Sequence, residues 1–183
     1  MATAELLLTA EEFWQMPDDG LFTELIRGRV VTLNMPAPRH GYFCLKIGRI
    51  LGNFVDDHDL GRVVSNDSGV VTERSPDSVR GADIAFYSYA RLPRGPFPQG
   101  YLSVSPELVF EVRSPSDLWK EILAKVAEYL KAGVLVVGVH DEQTQTITLY
   151  RQDELPRVLT ITDELTLPEL HADFRAPVAR FFE

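Results

Sequence analysis

The sequence predicts an α/β (α+β) domain, a mixed central sheet flanked by helices, on three observations. Short β-rich runs alternate with two long amphipathic segments, the centre of the chain reads β-α-β-β, and the composition suits a buried core. The 183 residues are 45% hydrophobic and 25% charged, ordinary for a globular protein and far from the signature of disorder. A domain of this length buries roughly 70% of its unfolded surface. One domain over 1–183 is expected, with an N-terminal helical arm over 1–20 and a C-terminal tail over 155–183 packed on the core.

Thr9 is a capping residue with Glu11 and Glu12 in the first turn behind it, so a short helix is expected over 9–16, ended by Pro17 and a turn at 17–20. The β-rich runs 22–26 and 29–33 flank Arg27-Gly28 as a hairpin, which Pro36 and Pro38 end. From 40 to 58, Phe43, Cys44, Ile47, Leu51, Phe54 and Val55 recur at helical spacing. After Gly61, strands are expected over 63–72 and 81–87, parted by a polar turn at 73–77, and a Pro/Gly-rich connection runs from 92 to 106.

A strand over 108–113, a helix over 114–131, a buried strand over 134–140 and an alternating strand over 144–151 follow. Ser114-Pro115-Ser116-Asp117 reads as a helix start, with Ser114 as N-cap, Pro115 at N1 and Asp117 closing a capping box. The tail carries a strand near 158–161 and an apolar end in Phe174, Val178, Phe181 and Phe182 that either covers the core or forms a homodimer contact.

Composition narrows the function. A lone cysteine, Cys44, excludes an intrachain disulfide and a multi-cysteine zinc cluster and fits a reducing compartment, with the cytoplasm expected. No basic n-region or apolar run of about 18 residues is present, so neither export nor a membrane is expected. The formal net charge of −9 argues against nonspecific coating of nucleic acid, though metal-ligating acids contribute to that total. Glycines 28, 41 and 48 lack the spacing of a nucleotide fingerprint.

Two acids stand where acids are costly. Alternation puts Leu108, Phe110 and Val112 on one face of their strand and Glu111 among Val109 and Arg113 on the other; Asp83 likewise interrupts an apolar run, with Ala82, Ile84 and Phe86 opposite. A buried carboxylate needs a partner, a proton or a metal ion. Ordinary ion pairs, Asp83 with Arg80 and Glu111 with Arg113, are the competing explanation. On the following helix Leu118, Ile122, Val126 and Tyr129 form the apolar stripe, and Lys125 lies only about 55° from its centre, aimed at the sheet, while Lys120 and Lys131 face solvent. Two carboxylates and a lysine suit a Mg²⁺ ion, with Mn²⁺ as substitute, that activates water for attack on a phosphodiester.

The pieces FTELIRGRVV, PRHGYFCLKIGRIL, RGADIAFYS, PELVFEVRSPSD, KVAEYLKAGVLVVGVHD and ITLYR resemble successive blocks of the Uma-type putative restriction endonucleases, within the PD-(D/E)XK nuclease superfamily. The resemblance covers about 22–150 and implies a restriction-endonuclease-like core, a metal-dependent endonuclease (hydrolase) activity and DNA as substrate. It matches Asp83 to the first metal-binding aspartate, Glu111 to the acid of the E-V-x-S-P-S block, and Lys125 to a lysine moved from the strand onto the helix. Arg113 stands where the standard motif has lysine, Ala82 precedes Asp83 in place of proline, and Gly138 stands where a tryptophan is expected.

Glu24 falls where related nucleases bring an acid towards the metal, against a sheet salt bridge with Arg27 or Arg29. His40 lies on the apolar stripe of its helix and is expected to be structural, with an accessory role kept open together with Glu24 and Arg113. Cys44 is read as a small hydrophobe, Tyr129 as packing, and His58, His140 and His171 lack ligand spacing. The leading expectation is an endonuclease. The alternatives are a catalytically silent nuclease-fold binding or interaction module and a hydrolase of small phosphorylated substrates.

Overall fold

Thr9 starts the first helix by a reciprocal cap: its hydroxyl accepts from the Glu12 N–H at 3.2 Å while the Glu12 carboxylate accepts from the Thr9 N–H at 2.8 Å, and α1 runs Ala10–Trp14. A computed structural model describes residues 7–17 and 19–183; residues 1–6 of the expected arm and Asp18 of the expected turn lie outside the described residues. Strands β1 (Thr23–Ile26) and β2 (Arg29–Thr32) pair antiparallel about Arg27 at φ 49 and Gly28 at φ 78, the two left-handed positions of a tight hairpin. Helix α2 (Pro38–Asp57) begins two residues before the expected start, because Pro38 fits a first turn in which no N–H is needed.

Strands β3 (Gly61–Glu73) and β4 (Ser78–Ser88) form a long antiparallel pair whose register shifts between Ser65 and Ser68, where Asn66 and Asp67 adopt φ 67 and 52. Strand β5 (Leu108–Arg113), helix α3 (Trp119–Lys131) and strand β6 (Val136–Asp141) make a parallel crossover, and β7 (Thr146–Tyr150) and β8 (Arg157–Thr160) extend the sheet antiparallel. The eight strands run β2-β1-β4-β5-β6-β7-β8, with β3 along one edge of β4. The other edge of β4 is shared: β1 meets it at Val79 and β5 at Ile84 to Phe86. Residues 80–83 lie in the gap between.

The sheet is covered on both faces. Phe43, Ile47, Leu51 and Val55 of α2 pack with Ile84, Phe110 and the tail, and Ile122, Val126 and Tyr129 of α3 pack with Val109, Val137 and Val139. Phe174, Val178 and Phe181 are buried in the first of these clusters. The tail also forms a small pair, β9 (Glu164–Thr166) with β10 (Arg175–Pro177), and a 3-10 turn over Val178–Phe181. Neither short strand was expected, since three residues carry no readable period.

Three expectations need correction. Helix α3 starts at Trp119 with no side-chain cap, because Ser114-Pro115-Ser116-Asp117 closes on itself: Asp117 Oδ2 accepts from the Ser114 N–H at 2.7 Å and the Asp117 N–H donates to the Ser114 C=O at 3.0 Å. Leu118, placed on the stripe, is 62% exposed just outside the helix. Ala82, expected opposite Asp83 with Ile84 and Phe86, packs in the α3-side cluster, next to the bulge that alters the alternation of this strand pair. Gly138 also finds its reason: a Cβ there would lie 2.6 Å from the Phe110 ring, which fills the space.

Candidate active site

Asp83 and Glu111 come directly after the last β4–β5 partners, Ile84 with Phe110, and both line one cleft. Asp83 is 5% exposed and Glu111 3%. Glu111 Oε2 lies 3.2 Å from Lys125 Nζ, and its Oε1 accepts from the Tyr129 hydroxyl at 2.9 Å. Asp83 Oδ1 meets His40 Nε2 at 3.0 Å, while Oδ2 accepts from the Val112 N–H at 2.6 Å. The sequence pairings of Asp83 with Arg80 and of Glu111 with Arg113 do not form.

Glu24, 3% exposed, comes from β1 as a third carboxylate. It accepts from the Gly81 N–H at 3.0 Å and from Arg80 at 2.8 Å, and lies 3.1 Å from Lys125 Nζ. The hairpin pairings with Arg27 or Arg29 are thus replaced by site contacts. Arg80 spends its remaining donors on Glu128, at 2.6 and 2.7 Å. Lys125 Nζ donates to the Gly81 C=O at 3.0 Å, and the one Tyr129 hydroxyl proton is shared between that C=O, at 3.1 Å, and Glu111.

Electrostatics follow this geometry. Burial pushes the Glu111 carboxyl up to about 7, Asp83 adding to the effect and Lys125 opposing it. Burial alone would lower Lys125, but Glu111, Glu24 and Asp83 overcome it and hold the ammonium above its ordinary value. His40 is raised by its hydrogen bond to Asp83 against the pull of burial. A cleft of about 770 Å³ opens over Glu24, Asp67, Asp83, Glu111 and Lys125.

Sequence reasoning missed several neighbours. Asp67 reaches the cleft from the bulge, its carboxyl raised by burial and by Asp83; the polar Asn66-Asp67-Ser68-Gly69 run inside a strand was the readable signal. Ser114 Oγ lies 3.3 Å from His40 Nδ1. Tyr129, taken for packing, is fully buried with its hydroxyl in the site. Arg113 lines the cleft without touching Glu111: it contacts Asp141 at 3.2 Å and Gln143 at 3.1 Å, and stacks 5.0 Å over Trp119.

Among the described residues one set of three, His40, Cys44 and Asp83, places ligand atoms within 4.8 Å of one another. That mixed set suits a softer metal; in the metal-free protein burial raises the Cys44 thiol well above its ordinary value, so binding there would release its proton. Glu24, Asp83 and Glu111 line the cleft and offer only oxygens, the chemistry of a Mg²⁺-class ion, but their carboxylate atoms do not all come within that distance.

A family model described as Putative restriction endonuclease (Uma2) matches residues 10–179. The chain belongs to this Uma2 family. A putative nuclease of DUF820 from Anabaena variabilis has the same fold as this Uma2 chain, with a TM-score of 0.80 over 96% of this chain and 97% of that one, at 19% identity. No curated protein matches the chain. Among the described residues of the Uma2 chain, no helix is long and apolar enough to cross a membrane.

Proposed function

We propose that the chain is a Mg²⁺-dependent endonuclease that hydrolyses DNA phosphodiester bonds, with Asp83 and Glu111 as metal ligands and Lys125 beside them. The observation that carries this reading is the convergence of the three side chains in a gap of the sheet, with Lys125 Nζ 3.2 Å from Glu111. A bound Mg²⁺ would lower the pKa of a water and stabilise charge on the attacked phosphate. Lys125, kept charged by its carboxylates, would orient an attacking water or neutralise charge on the phosphoryl oxygens. Tyr129 fixes the second oxygen of Glu111, and His40 fixes one oxygen of Asp83, so both acids are aimed before any ligand arrives.

The test is incubation of supercoiled and single-stranded DNA with Mg²⁺ or Mn²⁺ beside an Asp83→Ala control. Metal-dependent cleavage lost in the variant supports the assignment, and equal cleavage by both proteins sinks it. One observation favours the silent binding module: both Asp83 oxygens already have protein partners. Calorimetric titration decides, because that reading predicts no saturable Mg²⁺ or Mn²⁺ binding even with DNA present.

A further inference from the structure

We propose that the cleft takes an unpaired nucleotide strand in preference to a closed duplex, with bases resting on the β1–β2 hairpin; this rests on the phosphodiesterase reading of the same site. Depth is the first reason. Glu24, Asp83 and Glu111 are only 3–5% exposed at the floor of a cleft of about 770 Å³. Clefts of roughly 300–1,000 Å³ enclose one small ligand. A phosphodiester reaches such a floor only when the flanking chain enters with it, and an unpaired strand is narrower than a duplex.

The wall of the cleft is the second. Glu24 pairs with Val31, and the Leu33 N–H donates to the Phe22 C=O, so one hairpin face carries Glu24 to the floor and Phe22, Val31 and Leu33 beside it. Met35 continues this wall. Val31, Leu33 and Met35 are 36%, 37% and 77% exposed, and none belongs to a core cluster. Apolar side chains next to a phosphodiester site suit the flat faces of unpaired bases, whatever their sequence.

The third is the mouth. A duplex is held largely by cations set against its phosphates. Here Arg39 is engaged by Glu142 and Arg113 by Asp141. Both forms of DNA carry phosphates, so a preference between them comes from base contact.

Fluorescence anisotropy with a short labelled DNA strand and its duplex, in Ca²⁺ buffer, reads the preference directly. The single strand binds about tenfold more tightly than the duplex, and Leu33→Gln with Met35→Gln lowers strand affinity about tenfold with the salt slope unchanged. These positions are exposed, so the variant folds, which circular dichroism verifies. Equal or tighter duplex binding, unchanged strand affinity in the variant, or no binding of either DNA overturns the inference. Cleavage of duplex as fast as single strand would overturn it while leaving the nuclease reading intact. Wall-dependent strand binding without metal-dependent cleavage would uphold it and remove the nuclease reading.

Discussion

Glu111→Gln should make the metal-free protein more stable at alkaline pH while removing a ligand. Glu111 has an ordinary pKa of 4.5 and is pushed up to about 7 by burial, Asp83 adding to that and Lys125 opposing it. The folded state therefore binds more protons than the unfolded chain between these values. The stability from the neutral acid is fully present below 4.5 and is lost as pH rises through about 7. At about 1.4 kcal/mol per unit, the loss approaches 3 kcal/mol by pH 8. Glutamine keeps the shape and cannot ionise. Denaturant unfolding of both proteins in EDTA, from about pH 5 to 8, reads the difference; its constant part contains the altered contacts to Lys125 and Tyr129, and its pH-dependent part isolates the ionisation. The variant should gain about 2 to 3 kcal/mol on the wild type across that range. Added Mg²⁺ should return about 1.4 kcal/mol to the wild type alone at ten times its Kd. A difference flat within about 0.5 kcal/mol would refute a Glu111 carboxylate whose burial outweighs its pairing with Lys125.

Other outcomes follow from the same contacts. Lys125→Met should lower the rate of metal-dependent DNA cleavage about 10²- to 10³-fold, measured by single-turnover kinetics, because the only ammonium in contact with Glu111 among the described residues is removed. Gly138→Ala should cost about 1 to 3 kcal/mol in thermal or denaturant unfolding, since the new methyl meets the Phe110 ring 2.6 Å away. His140, fully buried with its Nε2 3.1 Å from the Phe181 C=O, is lowered by burial to about 4. Its unfolded form protonates first, so stability falls as pH drops from about 6.5 to 4, by at most about 3 kcal/mol, and His140→Gln should flatten that slope in an acid unfolding series.

The sheet and its flanking helices were legible because their periods are long. The α2 and α3 stripes and the strand over Leu108–Arg113 each carry enough residues to fix a face. Asp83, Glu111 and Lys125 could be singled out for the same reason: a charge on an apolar face is visible in one dimension. Ser114-Pro115-Ser116-Asp117 was misread because a capping box and a self-closing turn use the same residue types and the same Ser114 N–H to Asp117 bond. Tyr129 and Ser114 escaped because a hydroxyl on a packed face or in a turn has no sequence mark of its partner. Asp67 needed the bulge, whose one-residue excess cannot be aligned without the opposing strand.

The candidate site and the sheet are not separable designs. Between Val79 and Ile84 the edge of β4 has neither β1 nor β5 beside it. A buried N–H or C=O in such a gap needs a partner. Glu24 accepts from the Gly81 N–H, Lys125 and Tyr129 donate to the Gly81 C=O, and Asp83 accepts from the Val112 N–H across the break. The side chains assigned to metal and water thus also replace missing ladder bonds, and truncating them removes structure together with chemistry. Asp83→Ala leaves a buried N–H without a partner, a cost of about 1 to 3 kcal/mol, whereas Asp83→Asn keeps one acceptor for the Val112 N–H, removes the charge and presents an NH2 to His40. If Asp83 ligates the metal, both variants should lose cleavage and metal affinity, but Asp83→Asn should retain most of the thermal stability. Parallel losses of stability and activity in both would instead assign Asp83 to the sheet alone.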